Sequence, residues 1–187
     1  MQVRGRFVEV DITRVDSTHA NIEFKSLTNS GNIYLLLDGG SGAVNVNASS
    51  WLLGPVTGTN SGTGFTPRPY SNGGAGNEDG FGSFNQTINS FDSFTHSADD
   101  IKFSLTNLSG TWADDSSVLI GNANGNRAAA HIGITSYPAD SSNGATLTGF
   151  ASVDVVAPPP PVPEPATLAL LGTALFGFGV LRRRQHS

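Results

Sequence analysis

A two-residue alternation of apolar and polar side chains runs through much of the first 156 residues, and it constrains the fold more than any other feature. Val8, Val10 and Ile12 would share one face of a strand while Glu9 and Asp11 take the other. Ile22 and Phe24 alternate in the same way with Asn21, Glu23 and Lys25, and Asp16 to His19 supply the turn between the two runs. Successive strand side chains point to opposite faces, so the spacing predicts half-buried antiparallel strands. Ile33 to Leu37 is a continuous apolar run and reads as a strand buried on both faces. Gly39 to Gly42 then read as a hairpin turn into Val44, Val46 and Ala48, with Asn45 and Asn47 outside.

Nine of the 31 residues from Gly54 to Phe84 are glycine, and prolines stand at 55, 67 and 69. This stretch reads as a long loop, and a long loop inside a compact domain is the first place to look for a site. Alternation resumes at Phe84 to Ile88 and at Ile101, Phe103 and Leu105. Val118 to Ile120, Arg127 to Thr135 and Ala145 to Val155 complete the strands, with a turn at Asn122 to Asn126. Eight or nine short strands with regular turn signals and no helical period predict an all-β fold, an antiparallel β-sandwich. Jelly-roll topology is compatible with this pattern. Gly at 23 of 187 residues and a charged fraction of only 13% agree with it.

The net charge of -5 is unevenly distributed. Residues 1–156 hold seven Lys and Arg against 14 Asp and Glu, whereas residues 157–187 hold three Arg against one Glu. An acidic body argues against nucleic acid as a partner. The absence of cysteine removes disulfide frameworks, thiolate metal sites and cysteine nucleophiles together.

At Ala157 the composition changes, with six prolines by Pro165, so the folded domain is expected over 1–156 and a proline-rich linker over 157–165. Residues 166–181 carry no charge and are followed at once by Arg182, Arg183 and Arg184. At 1.5 Å per residue the apolar run would span about 24 Å as a helix, short of a ~30 Å hydrocarbon core, yet arginines snorkel and bilayers thin. A hydrophobic membrane helix over 166–181 and a basic cytoplasmic tail over 182–187 are therefore expected, with the sandwich on the opposite side of the membrane.

The segment from Val162 to Ser187 resembles the PEP-CTERM sorting signal of exported bacterial proteins. The resemblance rests on Val162, Pro163, Glu164 and Pro165, then the apolar run, then Arg182, Arg183 and Arg184, all in order. It implies an exported protein of the bacterial cell envelope, a substrate of an exosortase. It further implies membrane anchoring before processing, and then a structural role at the cell surface or in an exopolysaccharide-associated, biofilm-like matrix.

Candidate chemistry in the body is sparse, and no enzyme activity is expected. None of His19, His96, His131 and His186 stands at a metal-ligand spacing with another. His131 sits among small residues as a strand histidine. His96 beside Asp99 and Asp100 is the best general-base candidate, without a serine elbow to serve. Acid pairs occur at Glu78-Asp79, Asp99-Asp100 and Asp114-Asp115, but adjacent strand residues face opposite ways, so a neighbouring pair is not itself a dyad. The loop NGGAGNEDG offers Asn72, Asn77, Glu78 and Asp79 as oxygen ligands for calcium, the one cofactor to weigh, though solvated turns use the same residues. Trp51, Trp112, Tyr34, Tyr70, Tyr137 and Phe65 could form a sugar-stacking platform, with Tyr70 the farthest from a core role. The alternative to a surface component is thus a carbohydrate-binding or carbohydrate-active module.

Residues 1–30 contain no apolar run of the length a signal peptide needs, whereas proteins with this sorting signal normally begin with one. We therefore expect the genomic reading frame to continue upstream of Met1 into a cleavable signal, and an in-frame stop immediately before that codon would refute the expectation.

Overall fold

The computed structural model describes residues 2–4, 7–29, 32–60, 69–90, 96–136 and 147–153. Two units divide the chain, Met1–Val156 and Ala157–Ser187, and the described residues all belong to the first. The expected linker, the hydrophobic helix over 166–181 and the basic tail lie outside the described residues, as do Phe65 and Tyr137.

In chain order the strands are β1 (Gln2–Arg4), β2 (Val8–Arg14), β3 (His19–Ser26), β4 (Thr28–Asn29), β5 (Asn32–Leu36), β6 (Gly42–Val44) and β7 (Trp51–Leu53). There follow β8 (Thr57–Thr59), β9 (Ser71–Glu78), β10 (Gly82–Asn89), β11 (Asp100–Asn107), β12 (Ala128–Ser136) and β13 (Leu147–Val153). They form two antiparallel sheets. Sheet one runs β1-β2-β3-β11, with β7 and β8 end to end along the far side of β11. Sheet two centres on β12, which has β13 on one side and β5 and β6 end to end on the other; β4 flanks β5, and β10 then β9 flank β6. The chain changes sheets in blocks, beginning with the meander β1-β2-β3. A jelly roll would instead alternate between sheets almost strand by strand.

The alternation read from the sequence sets the core of sheet one. Register places Val10, Phe24 and Ile101 in one cross-strand row and Ile12, Ile22 and Phe103 in the next, all buried. Phe24 and Phe103 stack with ring centroids 6.2 Å apart. Sheet two answers with Leu36, Val44, Ile88, Ala130 and Ile132 in the same apolar cluster. Trp112 plugs one end of this core, 2% exposed, its indole N–H donating to the Asn47 carbonyl at 2.9 Å. The β2–β3 turn forms as read: Asp16 Oδ1 accepts from the backbone N–H of Thr18 at 2.7 Å and of His19 at 2.8 Å.

Three readings change. The stretch from Gly54 to Phe84 is not one long loop, because it carries β8, the glycine-rich β9 and the start of β10. Strand pairing there comes from backbone hydrogen bonds, which glycine makes as well as any residue, and so leaves no side-chain period to read. Val118 to Ile120 make one isolated bridge, Leu119 with Val46, in place of a strand. Gly39 to Gly42 are not a hairpin turn. Leu36 pairs with Ile132 and Val44 with Ala128, so eight steps of the β5–β6 segment run beside four steps of β12. The surplus leaves the ladder at Asp38 to Ser41, where Asp38 (φ 52°) and Gly40 (φ 70°) take left-handed backbone.

Residues Ser97 to Asp99 stitch the two sheets together. Ala98 exchanges backbone hydrogen bonds with Leu36 at 2.7 and 2.8 Å, while the Asp99 carbonyl accepts from Ser26 at 2.8 Å. Phe24 is fully buried in the shared core. Phe24→Ala is expected to destabilise the fold by about 3 to 5 kcal/mol, whereas Leu52→Ala, at a residue 59% exposed, should stay within ~0.5 kcal/mol. Urea unfolding midpoints of the two variants check this.

Candidate functional site

The excursion at Asp38 to Ser41 opens a small cavity on the outer face of sheet two. Glu78, the last residue of β9, pairs with Gly82, which lies two residues from Phe84, and so takes the outward face that Phe84 shares with Ala43 and Ala129. Its side chain nevertheless is only 2% exposed, because it lies directly over Gly40, where a methyl group would overlap the carboxylate. Among the described residues the buried Glu78 Oε2 has no hydrogen-bond partner. Burial, reinforced by the charge of Asp79, pushes this carboxyl up from 4.5 to about 8. A buried polar atom left unmatched costs roughly 1 to 3 kcal/mol, so its retention calls for an explanation beyond stability.

The cavity above the carboxyl has a volume of 310 Å³. Gly39, Gly40, Gly73 and Gly76 give it walls of bare backbone, and Thr87, Asn89 and Phe150 complete it. Asn89 Oδ1 accepts from the Gly40 N–H at 2.9 Å, and Thr87 Oγ1 donates to the Gly74 carbonyl at 3.1 Å, so both side chains are held in place. Phe150 stacks on His131 with centroids 4.6 Å apart and planes 22° from parallel. Burial lowers the imidazole of His131, opposed by Asp38 and by a hydrogen bond to the Gly39 backbone. Its backbone N–H donates to the Gly40 carbonyl at 2.7 Å, tying β12 to the excursion.

A second cavity, of 420 Å³, lies on the outer face of sheet one beside Asp11, Glu23 and Lys102. Its charges neutralise one another: Lys25 Nζ lies 2.9 Å from Asp11 and 3.2 Å from Glu23, and Lys102 Nζ lies 3.0 Å from Glu23 and 3.5 Å from Asp100. Burial and a hydrogen bond shared with Glu23 push Asp100 up to about 6. Exposed pairs of this kind contribute little stability individually, and as a lattice they keep a polar sheet face soluble.

The candidates read from the sequence are scattered. Of the residues proposed for calcium, Asn72 lies opposite Ile88, and its Oδ1 accepts from Gln86 Nε2 at 2.7 Å and the Gly74 N–H at 2.9 Å. Asn77 Nδ2 donates to Asp79 Oδ1 at 3.4 Å; Asn77 and Glu78 both line the cavity, and of the two Glu78 is drawn under Gly40. Among the described residues no group of three or more His, Asp or Glu could hold a metal ion. Asp114 accepts from the Ser117 N–H at 2.9 Å and caps the short 3₁₀ turn Asp115–Ser117, and Asp115 accepts from the Arg14 N–H at 2.7 Å. His96 lines neither of these two cavities. Trp112 and Tyr34 are core residues, and Trp51 packs on the core with its indole N–H on Gln86 at 3.1 Å. Tyr70 also packs on the core, its hydroxyl buried against Gly58, so it is no sugar platform. Nothing local in the sequence marks Thr87, Asn89 and Phe150: Thr87 and Asn89 come to the cavity through the β9–β10 hairpin, and Phe150 through the pairing of β13 with β12.

Fold and cavity together define an antiparallel all-β protein of two packed sheets with a small polar pocket on one outer face. The model of the PEP-CTERM protein-sorting motif matches residues 161–184. That match contains Val162, Pro163, Glu164, Pro165 and the three arginines, and such a signal implies an exported protein of the bacterial envelope processed by an exosortase. No curated protein and no solved structure matches the chain. Among the described residues no helix is long and apolar enough to cross a membrane.

The raised carboxyl of Glu78 makes stability depend on pH. Between about 4.5 and about 8 the unfolded chain releases the Glu78 proton while the folded chain keeps it, so stability falls as pH rises through this window. Asp100 contributes in the same direction below about 6. Glu78→Gln should therefore flatten the fall most between pH 6 and 8; thermal midpoints of both proteins across this range check it.

Proposed function

We propose that this chain is an exported, non-enzymatic β-sandwich delivered through its C-terminal sorting signal. It is held in the membrane by residues 166–181 until an exosortase acts, and then serves as a structural component of the cell surface or extracellular matrix. The observation that carries the reading is the match to the sorting motif over 161–184, with the proline-flanked glutamate, the apolar run and the arginines in order. Prolines 163 and 165 deny the chain regular helix before the apolar run, which leaves an extended segment for a processing enzyme. The arginines favour the cytoplasmic side, so the sandwich would emerge on the outer one. The body supports a structural role through the use it makes of its acids: Asp16, Asp114 and Asp115 hold turns, and Asp11 and Glu23 pair with lysines.

Replacing Pro163, Glu164 and Pro165 by alanine should leave insertion intact but prevent processing, while Arg182, Arg183 and Arg184 changed to glutamate should disturb anchoring or orientation. The measurement is the mass of the mature protein from hosts with and without their exosortase. A C-terminus still ending at Ser187 in both would overturn the processing reading.

A further inference from the structure

We propose that the cavity over Glu78 is a binding site for one neutral, hydroxyl-rich ring, a single hexose unit of a carbohydrate. The site is built rather than incidental. Glu78 is 2% exposed and lines the cavity, and its buried Oε2 has no hydrogen-bond partner among the described residues, a partner that a ligand hydroxyl would supply. Gly73 and Gly76 of β9 let Thr87 and, at Gly73, Asn89 lie directly against the β9 backbone, because those side chains take the space an added methyl group would need, and this fixes two polar walls of the cavity. At 310 Å³ the volume stands at the small end of ligand pockets, room for one ring and not for a chain.

The lining chemistry selects among ligands. Asn77, Thr87 and Asn89 offer amide and hydroxyl groups, and Phe150 adds an aromatic surface, the pairing of polar groups with one apolar wall that a sugar ring presents in mirror form. A carboxyl that keeps its proton near neutrality both donates and accepts, which matches a hydroxyl; a cation would first have to displace that proton. This inference is independent of the sorting signal, since binding is read on the unprocessed chain whatever enzyme later acts on it.

The test uses the full chain in a polyoxyethylene detergent, which has no sugar headgroup. Amide ¹H–¹⁵N spectra are followed during titration with glucose, galactose, mannose and N-acetylglucosamine, and separately with calcium chloride. At least one sugar should shift the amides of Gly40, Gly76 and Phe150. Glu78→Met should weaken that binding about tenfold or more without lowering the unfolding midpoint, and Glu78→Gln, still a neutral hydrogen-bonding group, should keep most of it. Ala75→Leu, at the exposed rim, should narrow the cavity and weaken binding even if Glu78→Met fails to fold. No response to any of the four sugars overturns the proposal. Equal binding by the wild type and Ala75→Leu overturns it too, as does a response of these amides to calcium alone.

Discussion

Phe24 packs where the two sheets meet, and much of the molecule depends on that contact. Its ring stacks with Phe103 within sheet one and reaches across to Gly42 of sheet two, where an added methyl would sit only 3.4 Å from the ring. Apolar burial supplies the drive for the two sheets to close. It also calls for apolar residues at the inward positions through the middle of β2, β3 and β11, Val8, Val10, Ile12, Ile22, Phe24, Ile101, Phe103 and Leu105, and for outward neighbours with their own polar solution. The charge lattice of Asp11, Glu23, Lys25, Asp100 and Lys102 is that solution on sheet one.

Sheet two meets the same demand with Leu36, Val44, Ile88 and Ile132 beside small alanines. Ala128 and Ala130 lie among its inward residues, and the β5–β6 segment carries surplus residues that its partner β12 does not match. Those residues bulge at Asp38 to Ser41, and left-handed backbone at Gly40 lets the chain turn there without a side chain in the way. The carboxyl of Glu78 occupies the space so opened. A buried acid with an unmatched oxygen is a local conflict in an otherwise consistent fold, and such conflicts concentrate at functional positions.

The chain thus combines two kinds of information that do not depend on each other. Residues 161–184 carry an address, written as a short linear order of proline, glutamate, apolar and basic residues. The body carries shape, held by long-range pairing between strands. An address of this kind needs no folded partner to be legible, whereas a pocket exists only after folding.

By itself the sequence determined the class of fold and the destination. The alternation in β2, β3 and β11 is a local period with one geometric meaning, the Asp16 turn is closed by its own neighbours, and the sorting motif is contiguous. Tertiary structure alone decided that β5 and β6 run in line along β12, that a glycine-rich stretch becomes strand β9, and that Tyr70 packs on the core. It also decided that Glu78, one of four residues grouped by spacing, parts from Asn72 and joins Thr87, Asn89 and Phe150. The reason is physical: a side-chain period reports burial at one position, but which strands become neighbours is set by backbone hydrogen bonds between residues far apart in the chain, and those bonds are blind to side-chain identity.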